Sequence, residues 1–354
     1  VEKEIKPVAG EWERTGRYPT EIVEQMKEMG LFGMTIPEEF GGLGLDMVSF
    51  SLVFEELARG WMAIAGILGS HSLSCWMINK YGTDEQKAEW IDDLAEGRRG
   101  FAFGITEPKH GSDATHMETR AVREDRHGEA GWRINGEKMW TTGMHAATHC
   151  CLFVRTSGED GDARGITAFL VPAHAPGVKV EEYLWTFNMP TDHAHVSFTN
   201  IRVPHSSIFG GEGKGLQVVQ HFFNENRIRQ AASSLGAAQY CINESIQYAK
   251  ERKPFGKALS TNQGIQFPLV ELQTQAEMLR AFIYKTAWLM DKYGAFSQSD
   301  KVSMCNYYAN RFCCEAADRA MQIHGGMGYS RHKAFEHIYR HHRRYRITEG
   351  AEEI

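Results

Sequence analysis

The chain has 354 residues, 42% hydrophobic and 24% charged, with a net charge of −6, an ordinary composition with room for two or three domains. The negative balance argues against nucleic-acid binding by the surface as a whole. Seven scattered cysteines with no CxxC spacing argue against a disulfide framework or a zinc ribbon and fit a reducing compartment.

The chain reads as helices, then strands, then helices. Residues 1–6 are charged, unlike a signal peptide, and ends that start inside a helix and stop at Glu352-Glu353-Ile354 read as trimmed. In the first helical stretch Pro19 suits a first turn and Gly30 a stop, with Ile22, Met26 and Met29 on one face. A Gly-rich connection over residues 37–44 leads to a helix starting near Asp46, with Phe50, Val53, Phe54 and Leu57 along one stripe. Residues 61–78 are the most apolar run. They include Ser70, His71, Ser72 and Ser74, so they predict a buried helix and no membrane span. Thr83-Asp-Glu-Gln86 has the form of a capping box, opening a helix that Gly97 ends.

From about residue 100 to 210 the composition changes to short β-rich runs at 101–106, 119–123, 132–135, 151–155, 167–171, 178–182 and 194–203. Asn135-Gly136 predicts a hairpin turn between two of them. Beyond residue 215, periodic segments at 216–250, 261–293, 299–323 and 333–346 predict an antiparallel bundle. The fold class expected is α+β: an N-terminal helical domain over 1–98, a middle antiparallel β-barrel or sandwich over 99–212, and a C-terminal four-helix bundle over 213–354. Residues 331–346 dissent from the overall charge, with six Lys/Arg and four His against Glu336 alone. This run reads as a basic face meeting water, a partner subunit or an anionic cofactor, with nucleic acid as a lesser use. His337 and His341 stand i,i+4 and could share a metal, but a solvated basic helix is the favoured reading, and no metal site is expected.

Several motifs carry chemistry only in combination. Phe103-Gly-Ile-Thr-Glu-Pro-Lys-His-Gly-Ser-Asp113 offers Ile105, Thr106 and Ser112 to a flat heterocycle with polar edges, or is a turn capping itself. Trp140, Thr141 and Thr142 give a planar surface and two hydroxyls, or a core tryptophan. Arg252 can fork onto a phosphate or complement a helix dipole. Gln322-Ile-His-Gly-Gly326 is a helix C-cap or a place where a ligand approaches the backbone. Glu349, between Thr348 and Gly350, is a candidate base or a solvated loop acid. Gly211-Glu-Gly-Lys-Gly215 falls one residue short of GxGxxG and follows no βα crossover; there is no P-loop, GxSxG or HExxH.

Taken in order, these segments resemble the acyl-CoA dehydrogenases over nearly the whole chain. Phe103 to Asp113 is similar to the family's Tyr-x-Val-Thr-Glu-Pro-x-x-Gly-Ser-Asp, and Asn135 to Thr142 to its Asn-Gly-x-Lys-x-Trp-Ile-Thr. Both line the flavin in that family. Glu251-Arg-Lys-Pro-Phe-Gly256 resembles Glu-Arg-x-x-Phe-Gly, whose Arg meets the FAD pyrophosphate from a neighbouring subunit. The resemblance thus implies FAD held by Phe103, Ile105, Thr106, Gly111, Ser112, Trp140, Thr141, Thr142, Arg252, Phe255, Gln263, Gln322, Gly325, Gly326, Ala351 and Glu353. It implies acyl-CoA bound by Ser112, Asn224, Arg227 and Gly350.

Glu349 matches the family's catalytic Glu. Its implied role is to take the substrate's α-proton while flavin N5 takes the β-hydride, giving the trans-2-enoyl-CoA. Thr348 and Ala351 stand where the family usually has Tyr and Thr, which bears on acyl size, and Asn226 occupies the position of an alternative base in one branch. The implied partners are an electron-transfer flavoprotein or similar acceptor and further copies in a homotetramer or homodimer. The implied location is the cytoplasm of a bacterium, or the mitochondrial matrix or peroxisome of a eukaryote. Same-fold alternatives are an acyl-CoA oxidase, a nitroalkane oxidase or a flavin monooxygenase; a different one is a DNA-associated member using residues 331–346.

Overall fold

A computed structural model of the chain describes residues 1–126, 128–186 and 193–354. It packs as two compact units. One is formed by Val1–Leu31, Leu45–Gly69 and Phe223–Glu353, the other by Phe32–Gly44, Ser70–Phe222 and the terminal Ile354. The first gathers helices from both ends of the chain, and the second holds the sheet.

In the helical unit, α1 (Lys6–Thr15) and α2 (Thr20–Glu28) precede α3 (Met47–Gly60). Asp46 caps α3 by accepting from the Ser49 N–H at 2.7 Å, and Phe50, Phe54 and Leu57 are buried along its stripe. α4 (Met62–Tyr81) carries the chain into the sheet unit. No described helix is long and apolar enough to cross a membrane. α6 (Gly215–Glu251) returns, followed by α7 (Gln263–Tyr293), α8 (Ser299–His324), a single turn α9 (Gly326–Tyr329) and α10 (Phe335–Arg344), close to the predicted bounds. α7 packs on α3 and α8, and α8 on α10. Gly236 lets α6 approach α3 closely, since a Cβ there would lie 1.9 Å from the Glu55 carbonyl oxygen. The buried Glu55 carboxylate accepts from Arg280 Nε at 2.9 Å and Tyr284 Oη at 2.6 Å, tying α3 to α7.

Within the sheet unit, α5 (Asp84–Ala95) opens with its predicted capping box. Thr83 Oγ1 accepts from the Gln86 N–H at 3.2 Å, and Gln86 Oε1 from the Thr83 N–H at 3.1 Å. The strands are β1 (Phe101–Gly104), β2 (Arg120–Arg123), β3 (Gly131–Thr142), β4 (His149–Arg155), β5 (Ile166–Pro172), β6 (Val178–Tyr183), β7 (His193–Pro204) and β8 (Ile208–Phe209). They form one eight-stranded sheet in the order β6-β7-β3-β2-β4-β5-β8, with β1 beside β4. Pairing is antiparallel except for β1 with β4 and β2 with β4, which are parallel. Trp132, Ile134, Leu152, Phe169, Val196 and Phe198 lie in its core.

The predicted hairpin at Asn135-Gly136 is not there. β3 runs straight through both residues along β7, and the register shifts between Ile134 and Gly136. The pair marks a bulge. Gly136 has φ 148°, with no room for a Cβ against Thr119, and Asn135 Oδ1 accepts from the Asn200 N–H at 2.8 Å. All seven cysteines are free and buried, and burial raises their thiols, Cys150 to about 12.

Candidate active site

In the sheet unit the site is built on β1 and β3. β1 stops at Gly104, and the chain then crosses a fifteen-residue connection to β2 that a buried ion pair holds in place. Lys138 Nζ, on β3, donates to Glu107 Oε1 at 2.7 Å and to the Ile105 carbonyl at 3.0 Å. Glu107 also accepts from the Glu118 and Thr119 N–H groups. Burial raises the Glu107 carboxyl, but the Lys138 charge and these donors outweigh it and hold it low. Burial dominates at Lys138 itself and pushes it down, with Glu107 opposing. The Met139 N–H donates to the Thr106 carbonyl at 2.8 Å, which joins this connection to the strand bearing Trp140.

That arrangement sets Phe103 on β1, Ile105 and Thr106 at the start of the connection, and Trp140, Thr141 and Thr142 at the end of β3 within one unit, with Thr106 bonded to β3 through the Met139 N–H. Trp140 has φ 60° and remains 51% exposed, so it is not the core tryptophan that residue type alone allowed. Thr141 Oγ1 is buried without a hydrogen-bond partner, and Thr142 Oγ1 bonds His193 Nδ1 at 2.8 Å. Phe103 packs its ring 4.5 Å from that of Phe222, while Gly111 and Ser112 are exposed.

In the helical unit, Gly325 ends α8 with φ 60° and ψ −134°. A Cβ on Gly325 or Gly326 would meet nothing within 4 Å, whereas one on Gly328 would lie 2.3 Å from the Met321 carbonyl oxygen. Gly328 therefore answers to internal packing, and the Gly325-Gly326 backbone stays open, with Gln322 exposed one turn before. Arg252, Phe255 and Gln263 are all exposed between and at the ends of α6 and α7. Phe255 is fully exposed and has φ 54°, a conformation unfavourable for a bulky side chain.

Glu349 follows α10 with φ 59°, and Gly350 with φ 99°. Arg227, on α6, fixes this turn by donating from Nε at 3.1 Å and from Nη2 to the Glu349 carbonyl oxygen. Asn226 Nδ2 donates to Glu349 Oε1, and Gln230 Nε2 lies 3.5 Å from the same oxygen and 3.3 Å from Thr348 Oγ1. Burial raises the Glu349 carboxyl to about 7. Arg229, the Asn226 bond, Arg227 and Arg344 all pull the other way. Asn224 is buried and donates to Ser299 Oγ at 2.8 Å. Ala351 is half-buried and Glu353 exposed. Arg346 and Arg311 both bond the neighbouring Glu352 and hold its carboxyl low, at about 2.

The solvated basic helix expected at residues 331–346 is overturned. His337, His341 and His342 are buried. Lys333 pairs with Glu244 at 3.0 Å, Arg340 with Glu336 at 2.5 Å, and Arg346 with Glu352. The helix is amphipathic, and its histidine face is the one that packs inward. Among the described residues no cluster of His, Cys, Asp or Glu could hold a metal ion.

Residue type gave no sign of Lys138 and Glu107 as a buried pair, nor of Asn226, Arg229 and Gln230 around the acid. The signal for the last three was their spacing along α6, which places them on one face. Within each unit the residues fit a flavin nucleotide. The sheet unit has an orphaned Thr141 hydroxyl beside a half-exposed indole, and the helical unit has an open Gly-Gly backbone and an uncovered Phe255.

The class these features define is a flavin-dependent oxidoreductase. More narrowly, the chain belongs to the acyl-CoA dehydrogenase family, whose N-terminal domain matches residues 1–98, middle domain residues 102–201 and C-terminal domain residues 213–354. It is an oxidoreductase that acts on acyl-CoA. It is 34% identical to an acyl-CoA dehydrogenase of Bacillus subtilis, over 99% of this chain and 92% of that protein. Among solved structures it resembles butyryl-CoA dehydrogenase from Megasphaera elsdenii at 30% identity and TM-score 0.92, covering 99% of this chain and 92% of that one. It also resembles a glutaryl-CoA dehydrogenase from Mycobacterium smegmatis, solved in complex with FADH2, at 26% identity and TM-score 0.89, covering 99% and 88%.

Proposed function

We propose that the chain uses FAD to oxidise an acyl-CoA thioester to its trans-2-enoyl-CoA, with Glu349 as the base. The observation that carries this reading is the Glu349 carboxyl itself, raised to about 7 by burial and held by the side chain of Asn226 and, through its own carbonyl, by Arg227. An α-proton next to a thioester is weakly acidic, so the base must be poised near working pH and the thioester oxygen must be polarised. The Glu349 N–H meets no backbone acceptor among the described residues, and it serves as one donor to that oxygen. FAD, when bound, supplies the acceptor for the β-hydride. Proton and hydride together account for the two hydrogens lost as the C=C bond forms.

Thr348 and Ala351 leave room beside the acyl group. Electrons leave to an electron-transfer flavoprotein or similar acceptor. The working form is a homotetramer or homodimer in which Arg252 and Phe255 of one copy meet the cofactor of another. It works in the cytoplasm if the source is bacterial, or in the mitochondrial matrix or peroxisome if eukaryotic. Glu349→Gln tests the base. The variant is expected to stay yellow and to lose dehydrogenation by several orders of magnitude, and normal turnover would refute the assignment.

A further inference from the structure

We infer that Asn226, oriented by Arg229, is a positioning residue that ties down one oxygen of Glu349 and leaves the other to take the proton. This rests on Glu349 being the base.

A side-chain amide has an acceptor end and a donor end, and which end faces a neighbour is set by its other contacts. Here the oxygen end of Asn226 is taken. Arg229 donates to Asn226 Oδ1 from Nε at 2.8 Å and from Nη2 at 2.6 Å. A guanidinium can only donate, so the NH2 end of Asn226 must turn away, and it turns onto Glu349 Oε1. A flipped amide would set its NH2 against the guanidinium and its oxygen against the carboxylate, replacing two attractions with two repulsions. Arg229 cannot easily move to permit this. It is buried, its guanidinium lies 5.6 Å from the Phe54 ring centre and 5.9 Å from that of Tyr345, and a Cβ on Gly69 would come within 2.5 Å of its Nη1. The order Arg229, Asn226, Glu349 is therefore directional.

The two carboxylate oxygens are not equivalent. Oε1 has the Asn226 amide and the nearby Gln230 amide, and no donor reaches Oε2 among the described residues. The α-proton passes to Oε2, forming the O–H bond there as the C–H bond breaks. Bonds accepted by the ionised carboxylate favour that form and oppose burial. The other charged groups facing Glu349 are Arg227 on α6 and Arg344 on α10, both of which also favour the anion. Removing the Asn226 amide should therefore raise the pH at which the base becomes competent and loosen its aim.

The test is Asn226→Ala in the flavin-loaded enzyme, followed by the single-turnover rate of flavin reduction with an acyl-CoA across pH. The acid limb is expected to move up by about one pH unit, with a loss of rate of about fivefold at pH 7 that approaches about tenfold at lower pH. Arg229→Lys, which keeps the charge but not the fork, should move the limb the same way by less. If Asn226→Ala fails to fold, Asn226→Ser reads the same limb. An unshifted limb in a fully flavinated Asn226 variant overturns the inference. If Glu349→Gln is inactive and the Asn226 limb is unshifted, only the positioning role falls; normal turnover in Glu349→Gln removes the base as well.

Discussion

Lys138→Met isolates what holds the connection between β1 and β2. Lys138 is fully buried and Glu107 nearly so, and the ammonium is one of three donors to that carboxylate. Methionine keeps the stem and removes the charge, leaving an anion under the sheet with two amide donors and an Ile105 carbonyl with its Lys138 bond lost. Breaking a buried pair from one side costs about 3–5 kcal/mol. At about 2–4 °C per kcal/mol for a unit of this size, that is a fall in Tm of roughly 6–20 °C. Glu107→Gln in the same background removes the stranded charge while keeping an acceptor, and should recover part of the loss. The assay is thermal unfolding by circular dichroism with flavin release followed in the same scan, since Thr106 and Trp140 are joined through the Met139 N–H. A Tm within about 3 °C of the parent in the single variant, with flavin retained, would refute the argument that this pair holds the connection.

The raised Glu349 carboxyl has two pH consequences of opposite sign. With Glu349 as the proposed base, catalysis needs its anion, so the rate of flavin reduction should rise with pH through about 7. Stability should do the reverse. A carboxyl raised from 4.5 to about 7 binds its proton more tightly when folded, so its contribution is full below about 4.5 and is lost as pH climbs to about 7. Urea midpoints at pH 5 and pH 8 check this, and Glu349→Gln should flatten the difference.

Phe255→Gly should relieve about 1–2 kcal/mol of left-handed strain yet weaken FAD retention about tenfold, as should Arg252→Ala. Equilibrium flavin binding decides, and unchanged affinity in Arg252→Ala would remove its phosphate role. Gly236→Ala gains about 1 kcal/mol of helix propensity but drives a methyl into the Glu55 carbonyl, so the Tm should fall; a higher Tm would show that α3 and α6 have slack.

What the sequence disclosed was mostly local. The capping box at Thr83 and Gln86 lies within four residues, and it formed as read. The C-terminal helices carried enough periodicity to be bounded closely. Asn135-Gly136 misled because its turn propensity is a local term, while β3 is held by pairing with β7 some sixty residues away. The basic run misled for a related reason. Charge counts along a helix do not say which face packs inward, and here it is the face carrying His337, His341 and His342; burial holds the His341 and His342 imidazoles below their usual range. Glu349 was singled out through its motif alone. Its pinned oxygen was not, because that depends on which end of an amide Arg229 selects on a helix more than a hundred residues earlier.

The buried cysteines have a practical corollary. Maleimides and disulfide reagents react with exposed thiolates, and this chain offers neither the exposure nor the low thiol pKa. A single cysteine introduced on an exposed position would therefore be labelled against a silent background, without first stripping seven native residues. Any slow labelling of the native thiols would report transient opening of the core, giving a clock for local unfolding in the intact protein.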